Sequence, residues 1–314
     1  VSERPDLSHY VQHRQLEVYE QHMARQGYAY GVDLRRSNWL ASSTIGNAMV
    51  RTVDRAWPGL SRRLLEEALL PGDAASVGLL REIGLHVEAL RAPTPTLRVL
   101  RPGQRGRWPL VTALGATRGT AHWLIIDAEA LAALPEAKRA FLLGAGLGHL
   151  HCDHAVFFTA HYLLAGGGEG EPGDGASARA MRALLAPWTK VMIFSADRAG
   201  LLSCGDLEAA VDTILSPPVP VGEDSADPSP AWLPRFPDTA ARERALREFA
   251  RSAVFARVLA LRARRAELLR QLTSAAASPP ETGEPGEPEP IHVPADAWTL
   301  ARVDSRLTRR LALL

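Results

Sequence analysis

The run Phe141-Leu142-Leu143-Gly144-Ala145-Gly146-Leu147-Gly148-His149-Leu150-His151-Cys152-Asp153-His154 places three imidazoles, a thiol and a carboxylate within six residues. A helix that holds a catalytic metal needs two imidazoles four residues apart. It also needs a carboxylate next to the first, to take a proton from bound water. Leu147-Gly148-His149 supplies only the second half of that pattern. Four residues before His149 stands Ala145, and the general-base position is Gly146. Neither side chain can ligate a metal or accept a proton.

A displaced metal site would use other donors. His149 and Asp153 are four apart and share a face of a continuous helix, with Asp197 from a later helix as a third ligand. His151 and His154, three apart, lie on another face. Cys152 beside His151 suggests a thiol nucleophile, but consecutive helical residues point in different directions, so Cys152 reads as a small buried residue. Gly144, Gly146 and Gly148 each cost about 1 kcal/mol relative to alanine inside a helix. Such a helix persists where small residues permit a close crossing with a neighbour. Ser203 and Ser252 have no histidine and acid at a readable spacing.

The elements that must position these residues follow from periodicity and breakers. Residues 8–90 read as helices: one with Leu16, Tyr19 and Met23 on one face, ending at Gly27; one from Asn38 to Trp57, broken at Pro58-Gly59; one from Ser61 to Leu70; and one capped by Asp73 with Leu80, Ile83, Val87 and Leu90 in register. Short β-rich runs at Leu97–Leu100, Trp108–Leu114 and Thr120–Ile126 read as a small, mostly antiparallel sheet. Pro135 opens the helix with the focal run, and a core helix follows from Ala155. Residues 167–177 read as a loop and 178–215 as helical, with Pro187 marking a kink or break. An Arg- and Ala-rich helix spans 239–273, between Pro-rich segments at 217–238 and 276–295. Leu300, Val303, Leu307, Leu311 and Leu314 form a closing amphipathic stripe.

This order of elements, and two short blocks within it, resemble the HtpX and CAAX-prenyl-protease type of zinc metallopeptidase. The family helix has the form His-Glu-Leu-Gly-His-Ile-x-x-Gly-His. Residues Ala145 to His154 follow that outline, with His149 at the second metal histidine and His154 at the trailing one. The second signature is a glutamate ligand four residues before an aspartate. It appears as Ile193-Phe194-Ser195-Ala196-Asp197-Arg198, so Asp197 and Arg198 match while Ile193 replaces the ligand. The resemblance implies an α+β, predominantly helical, zincin-like domain over residues 1–275, with N-terminal helices at 8–90, the sheet at 97–126 and degenerate active-site helices at 136–215. A linker at 276–295 and a C-terminal helix at 296–314 complete the expected organisation.

Of the family's three ligands and one base, only His149 remains, since Ala145, Gly146 and Ile193 hold the other positions. The expectation is therefore a catalytically inactive homologue that binds a peptide or protein partner in the groove beside Trp108–Leu114, with no cofactor. His149, Asp197 and Arg198 are then vestigial or supporting residues. The alternatives are a metal-dependent peptidase with a rearranged site, which would need zinc on His149, Asp153 and Asp197, and an assembly subunit self-associating through 296–314.

A formal charge of +1 gives no field for nucleic acid or anionic lipid. The Arg-rich helix, with interspersed glutamates, reads as a solvated face. The longest apolar run, from Ala155 to Gly168, is shorter than the roughly 20 residues of a membrane span. Glu3, Arg4 and Asp6 precede any apolar run, and Cys152 and Cys204 are the only cysteines. These features lead to an expectation of a cytoplasmic protein.

Overall fold

The computed structural model describes residues 18–104, 107–116, 122–166, 176–218, 232–234, 236–275 and 291–311. Leu16, Leu314, residues 167–175 of the loop expected at 167–177, and most of the two Pro-rich segments lie outside them, while residues 176 and 177 begin a helix. The chain divides into two compact units, Val1–Leu246 and Arg247–Leu314.

In the first unit, α1 (residues 18–26) leads to α2 (Gly31–Ser42) and α3 (Thr44–Glu67). Tyr19 and Met23, expected to share one helix face, are both exposed. The expected break at Pro58 does not occur. Pro58 lies inside α3, whose buried face of Met49, Val53, Trp57, Leu60 and Leu64 runs through it and offsets the roughly 3 kcal/mol cost of an interior proline. The break falls instead at Ser43, which is extended and accepts a hydrogen bond from the Gly46 amide at 3.0 Å. α4 (Val77–Leu90) is capped by Ser76, not Asp73, because Ser76 accepts from the Leu79 amide while Asp73 sits in a preceding 3-10 turn.

The sheet has strands β1 (Leu69–Pro71), β2 (Thr96–Leu100), β3 (Val111–Leu114) and β4 (Trp123–Ile126) in the order β1-β2-β4-β3. β1 had read as the end of a helix; it pairs antiparallel with β2. β2 and β4 are parallel, while β3 and β4 are antiparallel. The sheet is mixed because β3 returns along the far edge and leaves β4 in the middle. All four β4 residues are buried, so a two-residue alternation is absent there.

α5 (Ala128–Ala132) and Pro135 lead into α6 (Glu136–His151), which packs against α8 (Ala176–Cys204). A Cβ added at Gly144 would lie 2.3 Å from the Ser203 Cβ, and one at Gly148 would lie 2.6 Å from the Ala199 Cβ. From the other side, one at Gly200 would lie 2.8 Å from the Phe141 ring. The glycines thus set the separation of the two helices. Gly146 faces the sheet, with the Val111 Cγ1 at 2.3 Å from an added Cβ. α6 ends because Asp153 adopts a left-handed conformation (φ 61°) and the His154 amide returns to the His149 carbonyl at 2.9 Å. α7 (Ala155–Leu164) follows, and α8 runs continuously through Pro187 before Gly205 (φ 71°) turns the chain into α9 (Leu207–Leu215).

The Arg- and Ala-rich segment forms two helices, α10 (Thr239–Ala250) and α11 (Ala253–Ala275), not one. The interruption coincides with a backbone bridge between Ser252 and Trp298 in the second unit. α12 (Leu300–Arg310) buries Val303 and Leu307 there, and Trp298 is stacked by the Arg251 and Arg302 guanidiniums at 4.2 and 4.4 Å. No described helix is long and apolar enough to cross a membrane.

Two glycine substitutions test the crossing. Gly144→Val should cost about 1–3 kcal/mol by overpacking against Ser203 and lower the melting temperature by several degrees. Gly59→Ala, in α3 with nothing within 4 Å of the added methyl, should raise stability by up to about 1 kcal/mol. Thermal melts of the two variants beside the parent check both signs.

Candidate functional site

The positions named from the sequence converge. Ala145, Gly146 and His149 of α6, and Ile193 and Asp197 of α8, line one cavity of about 260 Å³ together with Val111 of β3, Phe236 and Arg242. The periodicity of the two helices explains this. Residues 145, 146 and 149 share one face of α6, residues 193 and 197 are one turn apart on α8, and the glycine contacts bring those faces close.

The carboxylate in this cavity is already paired. Arg242 grips Asp197 bidentately, Nε to Oδ2 at 2.9 Å and Nη2 to Oδ1 at 2.7 Å. Burial works to lower the Arg242 pKa, but the Asp197 carboxylate outweighs it and the guanidinium is held above its ordinary value. The adjacent Arg198 is also buried; it donates from Nη1 to the Tyr28 carbonyl at 3.1 Å and lies over the Tyr30 ring. Asp197 and Arg198 thus bind different partners and do not pair with each other at the surface.

Asp153 stands apart from the cavity. The left-handed turn carries it off the helical face it would share with His149, and its exposed carboxylate pairs with Arg25. The same turn brings His154, expected on another face, back onto His149, with their Nδ1 atoms 2.9 Å apart. Asp33, like Arg242, was missed by sequence reasoning. Its fully buried carboxylate accepts from His154 Nε2 at 3.1 Å, Trp188 Nε1 at 2.7 Å and Ser195 Oγ at 2.5 Å. Burial raises the Asp33 pKa, but the His154 imidazole and the three donors more than offset this and bring it below the ordinary value. A hydrogen-bonded chain therefore runs from Asp33 through His154 to His149, at the cavity wall. Burial first, then His154 and Arg242, hold the His149 pKa well below that of a free imidazole. No local motif marks Asp33 or Arg242: Asp33 meets His154 across 121 residues, and Arg242 lies in an Ala-rich helix with many arginines.

These residues do not fit the family's zinc. Ala145, Gly146 and Ile193 carry no donor atom, both Asp197 oxygens are held by Arg242, and Asp153 points elsewhere. Among the described residues, Asp33, Cys152 and His154 have ligand atoms within 4.8 Å of one another. That group is committed to hydrogen bonding through Asp33. Burial and the Asp33 charge also push the Cys152 thiol up, away from the thiolate a metal needs.

The same cavity adjoins the edge strand β3, of which Val111 is half-buried and Thr112, Ala113 and Leu114 are buried. Asp127 N–H donates to the Leu110 carbonyl at 2.9 Å, so the alternation of an antiparallel pair points the N–H and C=O groups of Val111 and Ala113 away from β4. At the next outward position, Gly115, both groups bond to the Thr159 hydroxyl. Trp108 stacks on Tyr162 beside this edge, with ring centroids 5.2 Å apart.

Comparison with known proteins gives one distant match at this level. The plastoglobule-localized metallopeptidase 48 of Arabidopsis thaliana chloroplasts is 27% identical over 180 residues, covering 51% of this chain and 50% of that protein. The chain thus spans about half the length of the curated relative it matches. No protein-family model and no solved structure matches. The chain is a distant homologue of a metallopeptidase.

Buried imidazoles give this unit a characteristic acid response. His151 is held neutral, with its pKa lowered to about 4 mainly by burial, while its Nε2–H donates to the Gln21 carbonyl at 2.7 Å. His161, whose ring lies tilted 4.6 Å from that of Phe157, is likewise lowered to about 4 by burial and then by Arg182. Unfolded imidazoles take up protons near pH 6.5, before the folded ones do, so stability should fall as pH drops from about 6.5 towards 4. The urea midpoint should decline across that window, and His161→Phe should flatten the decline; an unchanged pH profile in the variant would contradict this assignment.

Proposed function

We propose that this chain is a non-catalytic homologue of a zinc metallopeptidase that binds a peptide or protein partner in the cavity beside β3. The observation that carries this reading is the cavity's composition. Where the resembled family has a histidine, a glutamate base and a glutamate ligand, Ala145, Gly146 and Ile193 present no donor, and the nearby carboxylate of Asp197 is neutralised by Arg242. The Val111 side chain occupies the space next to Gly146, so the base position is filled by packing. A reaction that needs metal-bound water and a carboxylate base has neither group available from these residues.

Binding remains feasible on this surface. An extended segment laid beside β3 would gain main-chain hydrogen bonds from the half-buried Val111, and its side chains would meet the mostly apolar cavity wall. The zincin-like fold, the absence of a cofactor and a cytoplasmic location belong to the same proposal. The plastoglobule location is that of the Arabidopsis relative.

Elemental analysis of protein purified without chelator tests the reading. The expected result is zinc well below one equivalent per chain, with no chelator-sensitive cleavage of an unstructured protein such as casein. One equivalent of zinc that is lost in His149→Ala would refute it. Zinc retained in His149→Ala but lost in Cys152→Ser would instead assign metal to the buried Asp33, Cys152 and His154 group.

A further inference from the structure

The arginine-rich helix that the sequence presents as a solvated face is solvated in the structure, yet leucines stand on that face. The first turns of α11 are anchored in the second unit: Ser252 and Phe255 are buried, and Val254 and Val258 are half-buried. From Arg265 to Gln271 every residue is exposed. Leu261, Leu268 and Leu269 are 47%, 50% and 54% exposed. Leu261 lies four residues before Arg265, Leu268 three after it and Leu269 four after it, so the leucines and the arginine share one face. Exposed leucines grouped in this way mark an interaction surface.

The spacing on that face gives the shape of what covers it. Val254, Val258, Leu261, Arg265 and Leu268 follow one another at intervals of four, three, four and three residues. A repeat of that period makes the narrow seam by which one helix packs along another. Arg265 occupies a seam position that a coiled coil ordinarily fills with an apolar residue. A polar group there selects a partner able to pair with it.

Charge decides which helix fits. α11 carries Arg257, Arg262, Arg264, Arg265 and Arg270 against a single acid, Glu267. Two residues along from Arg265, Glu267 projects from the other side of the helix, and its carboxylate accepts from Arg270 at 2.6 Å and from Gln271 at 3.1 Å. Arg265 has no acidic partner among the described residues. A second copy of α11 would set arginines against arginines in either direction, so the helix matches itself poorly. An anionic membrane surface takes up a broad apolar face rimmed by basic residues, whereas this arginine stands in the middle of the leucines. A helix with an apolar seam, and with carboxylates both beside and within it, answers both features.

We infer that α11 is a docking surface for an acidic amphipathic helix of another protein, with Leu261, Leu268 and Leu269 packed along the seam and Arg265 paired to a carboxylate that projects from the partner's seam. The residues involved all belong to the second unit, and the binding they support is additional to that proposed for the cavity.

Two synthetic peptides of about four heptads each test this on the full chain. Both carry leucine in the seam and glutamate on its flanks; the first has one glutamate at a central seam position, and the second has leucine there. Fluorescence anisotropy should show the first peptide binding more tightly than the second, with an affinity that falls as salt rises. Arg265→Leu should reverse that order, weakening the first peptide roughly tenfold and strengthening the second, since it removes the pairing that distinguishes them. Leu261→Ala combined with Leu268→Ala should weaken both peptides by roughly tenfold or more. The substituted positions are exposed, so the far-UV circular dichroism of each variant should match the parent.

An unchanged order of the two peptides in Arg265→Leu would overturn the inference, as would failure of either peptide to bind at submillimolar concentration. A chain that sediments as a dimer and is dissociated by Leu268→Glu would make a second copy the occupant and sink it equally. So would capture of the chain by vesicles of equimolar phosphatidylglycerol and phosphatidylcholine, lost in Leu268→Glu, when neither peptide binds.

Discussion

The close approach of α6 to α8 is the constraint on which the site depends. Gly144 and Gly148 let the Ser203 and Ala199 side chains approach the α6 backbone, and Gly200 does the same for Phe141. Each glycine weakens an isolated helix, so the contact between the two helices must offset the cost. That contact places residues 145, 146 and 149 opposite 193 and 197. A metal-binding helix pair needs this proximity so that ligands from both helices can reach one ion. Here Ala145, Gly146 and Ile193, which carry no donor atoms, meet across that gap beside His149 and the Arg242-paired Asp197.

Ion pairing neutralises the carboxylate in this cavity. Breaking a buried ion pair such as Asp197–Arg242 by removing one partner typically costs about 3–5 kcal/mol, so the arginine ties the retained aspartate to the packing of α10 against α8. Asp33 performs a related task deeper in the unit. It draws donors from α7 and α8 onto α2 and fixes the orientation of His154, and through it that of His149. The polar groups around the cavity are thus arranged by structural bonds, and His149 reaches the cavity as an oriented, uncharged ring.

Much of this was legible in the sequence, and the failures have physical causes. Helical spacing brought Ala145, Gly146 and His149 to one face, and the resemblance to a zinc-metallopeptidase signature paired that face with Ile193 and Asp197. Spacing failed where the helix stopped: a left-handed Asp153 cannot be read from periodicity, and it reversed the expected placements of Asp153 and His154. Pro58 misled because a strong apolar stripe carried α3 through it. The strand order could not be read because neighbouring runs in sequence, β2 and β3, are separated by β4 in the sheet. Asp33 and Arg242 had no signal at all, since a lone acid or arginine becomes informative only when a distant partner is known.

The contact between Gly146 and Val111 also bears on how this chain could change over evolutionary time. A Cβ at position 146 would lie 2.3 Å from a methyl group of a short, branched strand residue. A glutamate could enter there only after Val111 became smaller, and a smaller residue at 111 would first leave a void beside Gly146. Each single step towards a glutamate at 146 therefore lowers stability. Positions 111 and 146 are coupled in this way, and a charged side chain at 146 requires a compensating change at 111.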